Sequence, residues 1–409
     1  MLSFGENDAI STITKDDESE LYNAVPTLNK SGGIIYINTP VINMTSKCQI
    51  LLSGTSAGGI VGIKQSNGQY PSLNFKKARN ENTKSPGIKI TGSNQFVKYL
   101  IIEFAGNKGI WIKGSKNVID HVISRYNDAS GIQISHGADS NTINYSYCYR
   151  NCDVGNHGGG ADGFSPKLTA TNTVFNYCYS WDNSDDGFDA FDKEGNITNN
   201  LVINHSACWN NGNVDVFTGK YDYNNGKALD KNIWTIEQLI ESDKNFESNY
   251  KNKKFSYSNG IINGEKAEEW VAKATKSMNP NGFKLGSAFT PKDASIIRNC
   301  DYCVVFDHKS KGFDNNNSQK CSGYFTNCVS FKNKINYTLP YTFVKWSNNW
   351  SWSALSSDQK NMKKTLKKPS NKESATKDFY SIRDKIIESV EENKFPDTVN
   401  FDKAIESLN

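Results

Sequence analysis

Short apolar segments recur along the chain, and within each of them apolar and polar residues alternate over a few positions. Alternation with a period of two is typical of β-strands, whereas an amphipathic helix repeats its apolar residues with a period of about 3.6. One set of these segments begins with glycine and therefore predicts a recurring short strand. The set reads GIWIK at 109, GIQIS at 131, GFSPK at 163, GFDAF at 187, GFKLG at 282 and GFDNN at 312.

A second set of segments ends in asparagine and sets the length of the repeat. It reads DHVISRYN, NYSYCYRN, NYCYSWDN and NHSACWNN, which end at Asn127, Asn151, Asn183 and Asn211, in steps of 24, 32 and 28 residues. Steps of this length, each with two strand-like segments, predict an all-β parallel β-helix whose coils stack on one another. We expect the asparagines to adopt the left-handed conformation at the corners and to stack their amides.

Small residues in the asparagine-ended segments predict a second ladder, inside the coils. Cys148, Ser180, Cys208 and Ser330 occupy the same position in successive repeats, which favours buried free thiols and hydroxyls over disulfides. The chain has nine cysteines, an odd number that cannot all pair, and their spacings match no zinc pattern. The five histidines are scattered, and we expect structural or surface roles for them.

The segments outside the repeat predict a cap, an insertion and a tail. ESELYNAVPTL followed by GGIIYI predicts an N-terminal helix that caps the solenoid and a first strand. Residues 218–278 interrupt the repeat with helix-like sequence and form either a binding wall or a decoration without function. We predict a single β-helix catalytic domain over 1–350, which contains this insertion, and a helical C-terminal tail over 351–409 that packs on the β-helix.

The overall charge excludes some classes of partner. The net charge is only +4 over 409 residues, and no block of Lys and Arg resembles a nucleic-acid-binding arm. No apolar run reaches the length of a membrane span, and the opening MLSFGENDAI lacks the pattern of a signal peptide. We therefore expect a monomer that binds neither nucleic acid nor membrane.

Aspartates are concentrated in SWDNSDDGFDAFDKEGN, which begins at residue 180. Asp185, Asp186 and Asp189 surround one glycine-led strand, and Asp162 precedes the glycine of the strand before it, so the four carboxylates should converge. Oxygen ligands without His or thiolate favour Ca²⁺ over zinc. The alternative is that these aspartates only cap turns beside glycine. Asp182 is expected to be an ordinary turn or solvent-facing residue.

The residues two positions after each glycine should form one row on the outer face of the β-helix. Lys284, beside Asp189 in this row, could have its pKa lowered by a nearby cation and act as a general base. The alternative is a solvated strand lysine. The row reads Trp111, Gln133, Ser165, Asp189, Lys284 and Asp314.

At these residues the sequence resembles the family 9 polysaccharide lyases, which fold as a right-handed parallel β-helix. The resemblance spans roughly residues 20–345 and includes GGIIYI, LSGTSAGG, GIKITGS, NKGIWIKGS, SGIQISHGA, ADGFSPKL, NSDDGFDAFD, NGFKLG and KGFDNNN. It implies that Asp162, Asp185, Asp186 and Asp189 bind Ca²⁺, that Lys284 is the base and that Lys167 contacts the acidic substrate. The insertion, Ser287 in place of a common glycine, and the extended GNHGGGADGF depart from the family pattern and leave substrate choice open.

The resemblance implies a secreted, calcium-dependent lyase that cleaves galacturonate-containing pectin backbones by β-elimination. Trp111 and Asp314, in the outward row, are further candidates for contact with the acidic polysaccharide, and each is also compatible with a structural role. Two alternatives stay open. One is a hydrolase similar to polygalacturonases, although the GHG and RIK motifs of that family are absent. The other is a catalytically inactive β-helix that binds carbohydrate.

Overall fold

Three walls of parallel strands wind around one apolar core, so the parallel β-helix predicted from the repeat is confirmed. The computed structural model describes residues 8–45, 49–79, 85–191, 199–218, 257–258, 261–267, 269–271, 280–286, 296–316, 321–339, 344–358, 362 and 365–408. Most coils contribute one strand to each wall, and equivalent strands of successive coils pair in parallel register. Within the described residues no helix is long and apolar enough to cross a membrane.

The first wall is a nine-stranded parallel sheet that contains the glycine-led segments, and we call it the site sheet. Its inner face stacks aromatic rings: the Phe188 ring centroid lies 4.9 Å from that of Phe164 and 4.7 Å from that of Phe283. Parallel rungs about 4.8 Å apart place equivalent side chains in such columns. The strands are Ile50–Leu52, Ile88–Ile90, Ile110–Ile112, Ile132–Ile134, Phe164–Pro166, Phe188–Asp189, Phe283–Lys284, Lys311–Asp314 and Ile335–Thr338.

The other two walls share one twenty-stranded sheet, because two long strands, Gln95–Glu103 and Val118–Arg125, run along both of them. The remaining strands are Ala9–Ile13, Gly33–Ile37, Val41–Asn43, Gly58–Gly62, Ser72–Asn74, Thr142–Asn144, Tyr147–Tyr149, Thr171–Asn176, Tyr179–Trp181, Asn199–Asn204, Ala207–Trp209, Ile296–Asp301, Val304–Phe306, Cys321–Ser322, Tyr324–Thr326, Val329–Phe331, Lys345–Ser347 and Trp350–Trp352.

A ladder of buried asparagines joins the coils at one corner, as predicted. Asn151 Nδ2 donates to Asn183 Oδ1 at 2.8 Å, and Asn151 Oδ1 accepts from the backbone N–H of Asn127 at 3.0 Å. Beyond Asn211 the ladder continues through His308, whose Nε2 lies 3.2 Å from Asn211 Nδ2. The amides therefore satisfy backbone groups that the turns leave without partners in a buried place.

The prediction that these asparagines adopt the left-handed conformation is wrong. The positive φ occurs one residue earlier, with values of 56°, 52°, 56° and 54° at Tyr126, Arg150, Asp182 and Asn210. The chain reverses at that residue, which leaves the following asparagine free to direct its amide into the interior where the ladder forms.

The interior ladder of small residues is confirmed from Cys148 to Cys208, and Val305 separates Cys208 from Ser330 in the same column. Cys148 pairs in register with Ser180, and Ser180 with Cys208; the described cysteines are buried and free. This ladder packs against the glycine that opens each strand of the site sheet, since a Cβ added at Gly163 would meet Ser180 Oγ. The two sequence repeats are therefore two sides of one packing contact.

A helix closes the N-terminal end of the solenoid, as predicted. Helix α1, Glu18–Ser31, begins at Asp17, whose side chain accepts from the backbone N–H of Ser19 at 2.8 Å. Its buried face includes Leu21 and Leu28, which belong to the main apolar core. A short helix α2, Lys76–Arg79, follows on a later coil.

The C-terminal segment covers the outer face of one wall, where stacked aromatic rings would otherwise be exposed to water. Helix α3, Lys372–Glu391, packs Phe379, Ile386 and Val390 into this apolar cluster, and helix α4, Asp402–Glu406, follows. The predicted domain boundary at residue 350 stays a prediction, and the strand Trp350–Trp352 runs across it. The covered rings are Tyr149, Trp181, Trp209, Phe306, Phe331 and Trp352.

Ion pairs of the buried Arg150 connect this tail to the wall. Arg150 Nη1 lies 2.6 Å from Glu391 Oε1 on helix α3, and Arg150 Nε lies 3.6 Å from Asp182 Oδ2. Asp182 is therefore a turn residue, as expected, but it is buried in an ion pair with Arg150 rather than facing solvent.

Replacing Asn183 with alanine should destabilise the fold strongly. Asn183→Ala removes the acceptor for the Asn151 N–H and a donor to Cys148 O, both in a buried place. We expect a loss of about 2 to 5 kcal/mol in the free energy of unfolding, measured by urea denaturation. Asn67→Ala, in an exposed turn where the side chain bonds to Gln69, is the matched control and should lose about 1 kcal/mol or less. Equal midpoints for the two variants would show that the ladder is not a stabilising element.

Candidate metal and active site

The outward row of the site sheet has the register that the sequence predicts. Trp111 pairs with Gln133 and Gln133 with Ser165. Farther along, Asp189 pairs with Lys284 and Lys284 with Asp314. The Phe164 to Phe188 pairing joins the two halves, since it places Ser165 beside Asp189. The row therefore changes from aromatic and neutral to charged along the solenoid axis.

Four aspartates converge on this row from two coils. Asp162 and Asp186 directly precede the glycines that open adjacent strands, and the backbone N–H of Gly163 donates to Asp186 O at 3.0 Å. One carboxylate oxygen each of Asp162, Asp186 and Asp189 lies within 4.8 Å of the others. Asp185 lies outside that group of three, and its Oδ2 accepts from the backbone N–H of Gly160 at 2.6 Å.

Two lysines reach into this carboxylate cluster from opposite sides. Lys167 Nζ lies 3.0 Å from Asp162 Oδ2 and 2.6 Å from Asp189 Oδ2. Lys284 Nζ lies 2.8 Å from Asp186 Oδ2 and 3.8 Å from Asp189 Oδ1. The Lys167 ammonium group, predicted to contact substrate, is thus held by two of the predicted calcium ligands.

The burial of this cluster shifts the pKa values of its carboxyl groups apart. Burial raises the pKa of Asp185 to about 6, helped by Asp162 and opposed by Lys284. Burial also raises the pKa of Asp186 well above its usual range, despite Lys284. For Asp189 the effect of burial is outweighed by Lys167 and Lys284, which lower its pKa. Four carboxylates and two ammonium groups leave the fully ionised cluster negatively charged.

The same interactions act on the two lysines. Burial lowers the pKa of Lys284, but Asp186, Asp189 and Asp185 outweigh it and raise the pKa well above its usual range. The sequence-based expectation of a lowered Lys284 pKa assumed a neighbouring cation, whereas in the structure the group facing Lys284 is a set of carboxylates. The pKa of Lys284 therefore depends on how far these carboxylate charges are neutralised.

The donor set fits a hard divalent cation. Its oxygens are all carboxylate, and three of them already lie within 4.8 Å of one another. Asp185 Oδ1 is buried and has no hydrogen-bond partner among the described residues, although an unsatisfied buried carboxylate oxygen is costly. Asp162, Asp185, Asp186 and Asp189 could therefore hold Ca²⁺, for which such ligands are typical.

Three polar residues that were not among the predicted metal or catalytic residues support these carboxylates. Ser165 Oγ donates to Asp162 Oδ2 at 2.7 Å, and Ser130 Oγ donates to the same oxygen at 3.1 Å. The backbone N–H of Asn281 donates to Asp186 Oδ1 at 2.5 Å. Ser130 and Asn281 each directly precede a glycine that opens a strand, as Asp162 and Asp186 do. The same sequence position could therefore have identified all four residues.

The candidates at the two ends of the row are not brought into the cluster. Asp314 is buried on the strand after Lys284, and its carboxylate accepts from Thr338 Oγ1 at 2.6 Å and from Lys311 Nζ at 3.1 Å. Trp111 lies three strands before Asp189 and is partly exposed. Asp314 is thus occupied by protein partners, whereas the Trp111 ring remains accessible.

The described part of the insertion lies next to the loop that supports Asp185. The structure describes three short strands here, Tyr257–Ser258, Ile261–Ile262 and Glu265–Lys266; the helix-like IWTIEQLIES lies outside the described residues. Trp270 Nε1 donates to Val154 O at 2.9 Å, and its ring centroid lies 4.1 Å from that of His157. The insertion thereby packs on the loop that ends in Gly160.

Replacing Asp185 with asparagine should stabilise the metal-free protein. Between its unfolded pKa near 3.8 and its folded pKa of about 6, the folded chain binds more protons, so stability falls as pH rises. In chelator near pH 7.5 we expect Asp185→Asn to gain about 1 to 3 kcal/mol over the wild type, and near pH 4 most of that gain should vanish. Thermal unfolding at both pH values measures this difference in stability. Asp378→Asn, on the exposed face of α3, is the control. A destabilised Asp185→Asn near pH 7.5 would contradict the raised pKa.

Comparisons with known proteins agree with the fold. The model of the Pel9A-like right-handed β-helix region matches residues 5–229, more than half of the chain. Pectate lyase L of Dickeya chrysanthemi is 30% identical over 256 residues, which are 62% of this chain and 45% of that protein. The chain therefore spans about half the length of this curated relative.

Two solved structures share the fold. The crystal structure of pectate lyase Pel9A has a TM-score of 0.56 at 24% identity and covers 86% of this chain and 78% of its own. A rhamnogalacturonan lyase has a TM-score of 0.53 at 15% identity over 86% of this chain and 84% of its own. The expected right-handed parallel β-helix is confirmed, and the protein belongs to the Pel9A-like right-handed β-helix family, that of the family 9 polysaccharide lyases.

Proposed function

We propose that this protein is a calcium-dependent polysaccharide lyase that cleaves galacturonate-containing pectin backbones by β-elimination, with Lys284 as the base. One observation carries the proposal: the Lys284 ammonium group lies 2.8 Å from Asp186 within a buried cluster of carboxylates. One oxygen of this cluster has no hydrogen-bond partner among the described residues. A lysine beside a set of cation ligands is the pair of groups that proton abstraction next to a carboxylate requires. Family membership supports the same reaction class.

Lys284 removes a proton from carbon in this mechanism. The C5 proton of a uronate is weakly acidic, because its removal adds charge beside a carboxylate. Ca²⁺ held by Asp162, Asp185, Asp186 and Asp189 would supply positive charge to that carboxylate. Neutral Lys284 accepts the proton, the C5–H electron pair forms the C4–C5 double bond, and the C4–O bond breaks with its electrons on the leaving oxygen. No water is consumed, and the proton returns to solvent or the leaving oxygen.

The other charged groups of the cluster set the state of Lys284. Asp186, Asp189 and Asp185 hold its proton while they are ionised and unpaired. Lys167, which lies 2.6 Å from Asp189, partly neutralises that carboxylate and keeps it oriented beside Lys284. The base is therefore neutral only when the surrounding carboxylate charge is offset or the pH is high.

The proposed substrate is an acidic polysaccharide. Homogalacturonan and rhamnogalacturonan I both present galacturonate, and both are candidates. Because such polymers lie outside cells, we propose that the enzyme acts there as a secreted monomer.

A hydrolase is less consistent with the spacing of the carboxylates. An inverting glycosidase separates its acid and base by about 6.5 to 9.5 Å to admit a water molecule. Here oxygens of Asp162, Asp186 and Asp189 lie within 4.8 Å of one another, and Lys284 would have no role in hydrolysis. A catalytically inactive binding protein would likewise gain nothing from burying a lysine in this cluster.

The reaction class can be tested on the two polymers directly. We expect ultraviolet absorbance from an unsaturated product in the presence of Ca²⁺, loss of activity on chelation and recovery on adding Ca²⁺ back. Activity should rise on the alkaline side, because Lys284 accepts a proton only in its neutral form. New reducing ends without absorbance would indicate a hydrolase, and carbohydrate binding without either product would indicate an inactive protein.

Removing the amine of Lys284 should abolish turnover without weakening metal binding. For Lys284→Met we expect a loss of at least about 100-fold in kcat. Its calcium affinity, measured by calorimetry, should be unchanged or higher, since a positive charge leaves the cluster. Lys377→Met, on the exposed face of α3, is the control. Normal turnover of Lys284→Met would exclude it as the base, and a parallel loss of calcium binding would indicate a structural role.

A further inference from the structure

A cluster of lysines surrounds Trp111 at the far end of the outward row, and we call these four residues the Trp111 platform. The ammonium groups of Lys89, Lys108 and Lys113 lie 5.3, 5.3 and 5.1 Å from a ring centroid of Trp111. The lysines come from the preceding strand, from the residue before Gly109 and from the residue after Ile112. Three cations at this distance from one partly exposed ring form a basic surface with an aromatic centre.

The ring of Trp111 is held in place by its own hydrogen bond. Its Nε1 donates to Ser135 Oγ on the next strand at 2.9 Å, and that oxygen also accepts from Gln133 Nε2 at 3.1 Å. The ring of His136 packs edge-on against it, with centroids 5.6 Å apart. These contacts hold the Trp111 ring in one orientation, which lowers the entropic cost of stacking a ligand on it.

Two of the three positive charges of the platform are those of Lys89 and Lys113. Within the described part of the chain, neither Lys89 nor Lys113 forms an ion pair. Burial lowers the pKa of His136, and the nearby charges of Lys113 and Lys108 lower it further. Lysines brought together against their mutual repulsion indicate a surface that binds anions.

The platform lies on the same outward row of the site sheet as the carboxylate cluster. In this row Trp111 pairs with Gln133, Gln133 pairs with Ser165, and Ser165 lies beside Asp189. Three rungs of about 4.8 Å therefore separate Trp111 from Asp189, a distance of about 14 Å. Lys108, before its glycine, occupies the position that Asp162 and Asp186 occupy in later coils. The same structural position thus changes from basic to acidic along the axis.

We propose that the Trp111 platform is a distal subsite for the uronate residues of an acidic polysaccharide, with the sugar face on Trp111 and its carboxylate among Lys89, Lys108 and Lys113. The inference rests on the proposed function and extends it. A chain that reaches both Lys284 and the platform spans several sugar units. The platform therefore selects long, densely charged polymers over short or sparsely charged ones.

The platform can be tested by comparing long and short substrates. For Lys89→Ala/Lys113→Ala we expect KM for polygalacturonate to rise about tenfold with kcat unchanged, and KM for di- and trigalacturonate to stay the same. Trp111→Ala should behave similarly, and Trp111→Phe should retain part of the affinity. Lys377→Ala/Lys385→Ala, which removes two exposed lysines from α3, is the matched control.

Direct binding separates this proposal from the proposed function. Calorimetry on the full chain that carries Lys284→Met measures the affinity for long oligogalacturonates without cleavage. The double lysine substitution should weaken that affinity about tenfold and flatten its salt dependence, and Lys89→Arg/Lys113→Arg should restore it. An unchanged affinity and KM in the lysine and tryptophan variants would overturn the subsite. If no unsaturated product forms but binding still depends on the platform, only the proposed lyase activity is overturned.

Discussion

The regular spacing of parallel rungs, about 4.8 Å, is the constraint on which the rest of this structure depends. It places the same position of successive coils in one column, whatever the loops between them do. Facing inward, the column is a stack of phenylalanine rings with centroids 4.7 to 4.9 Å apart. Facing outward, it sets Asp189 beside Lys284, although an insertion separates them in sequence. The core and the candidate site are two faces of one sheet.

This arrangement concentrates like charges in a place where water is scarce, and the fold must offset the cost. Burial raises the pKa values of Asp185 and Asp186, so the ionised carboxylates destabilise the folded state at neutral pH unless cations offset their charge. Lys167 and Lys284 offset part of that charge. The asparagine ladder and the ring stacks supply stability elsewhere in the same coils, which explains how a scaffold this regular can hold an unfavourable site.

Two added segments surround the solenoid on different sides. Helix α3 covers the aromatic wall, since stacked rings on an outer face would otherwise be exposed to water. The described part of the insertion packs through Trp270 on the loop that reaches Gly160, which in turn donates to Asp185. A segment outside the repeat therefore contacts the support of a candidate ligand, and insertions at this place can alter the site without changing any residue of the row.

The sequence by itself determined the coil architecture and the membership of the outward row, because glycine and asparagine recur wherever a strand opens or a coil turns. It also identified Asp162, Asp185, Asp186, Asp189 and Lys284 as neighbours, since equal positions on stacked rungs must be adjacent. Only the tertiary structure decided which residue of each corner is left-handed, that Asp182 is buried in an ion pair with Arg150, and that Lys167 faces two carboxylates. It alone revealed the lysines around Trp111 and the ion pair between Lys284 and Asp186. These features depend on burial and on the direction of side chains at corners, and a periodic pattern carries information about neither.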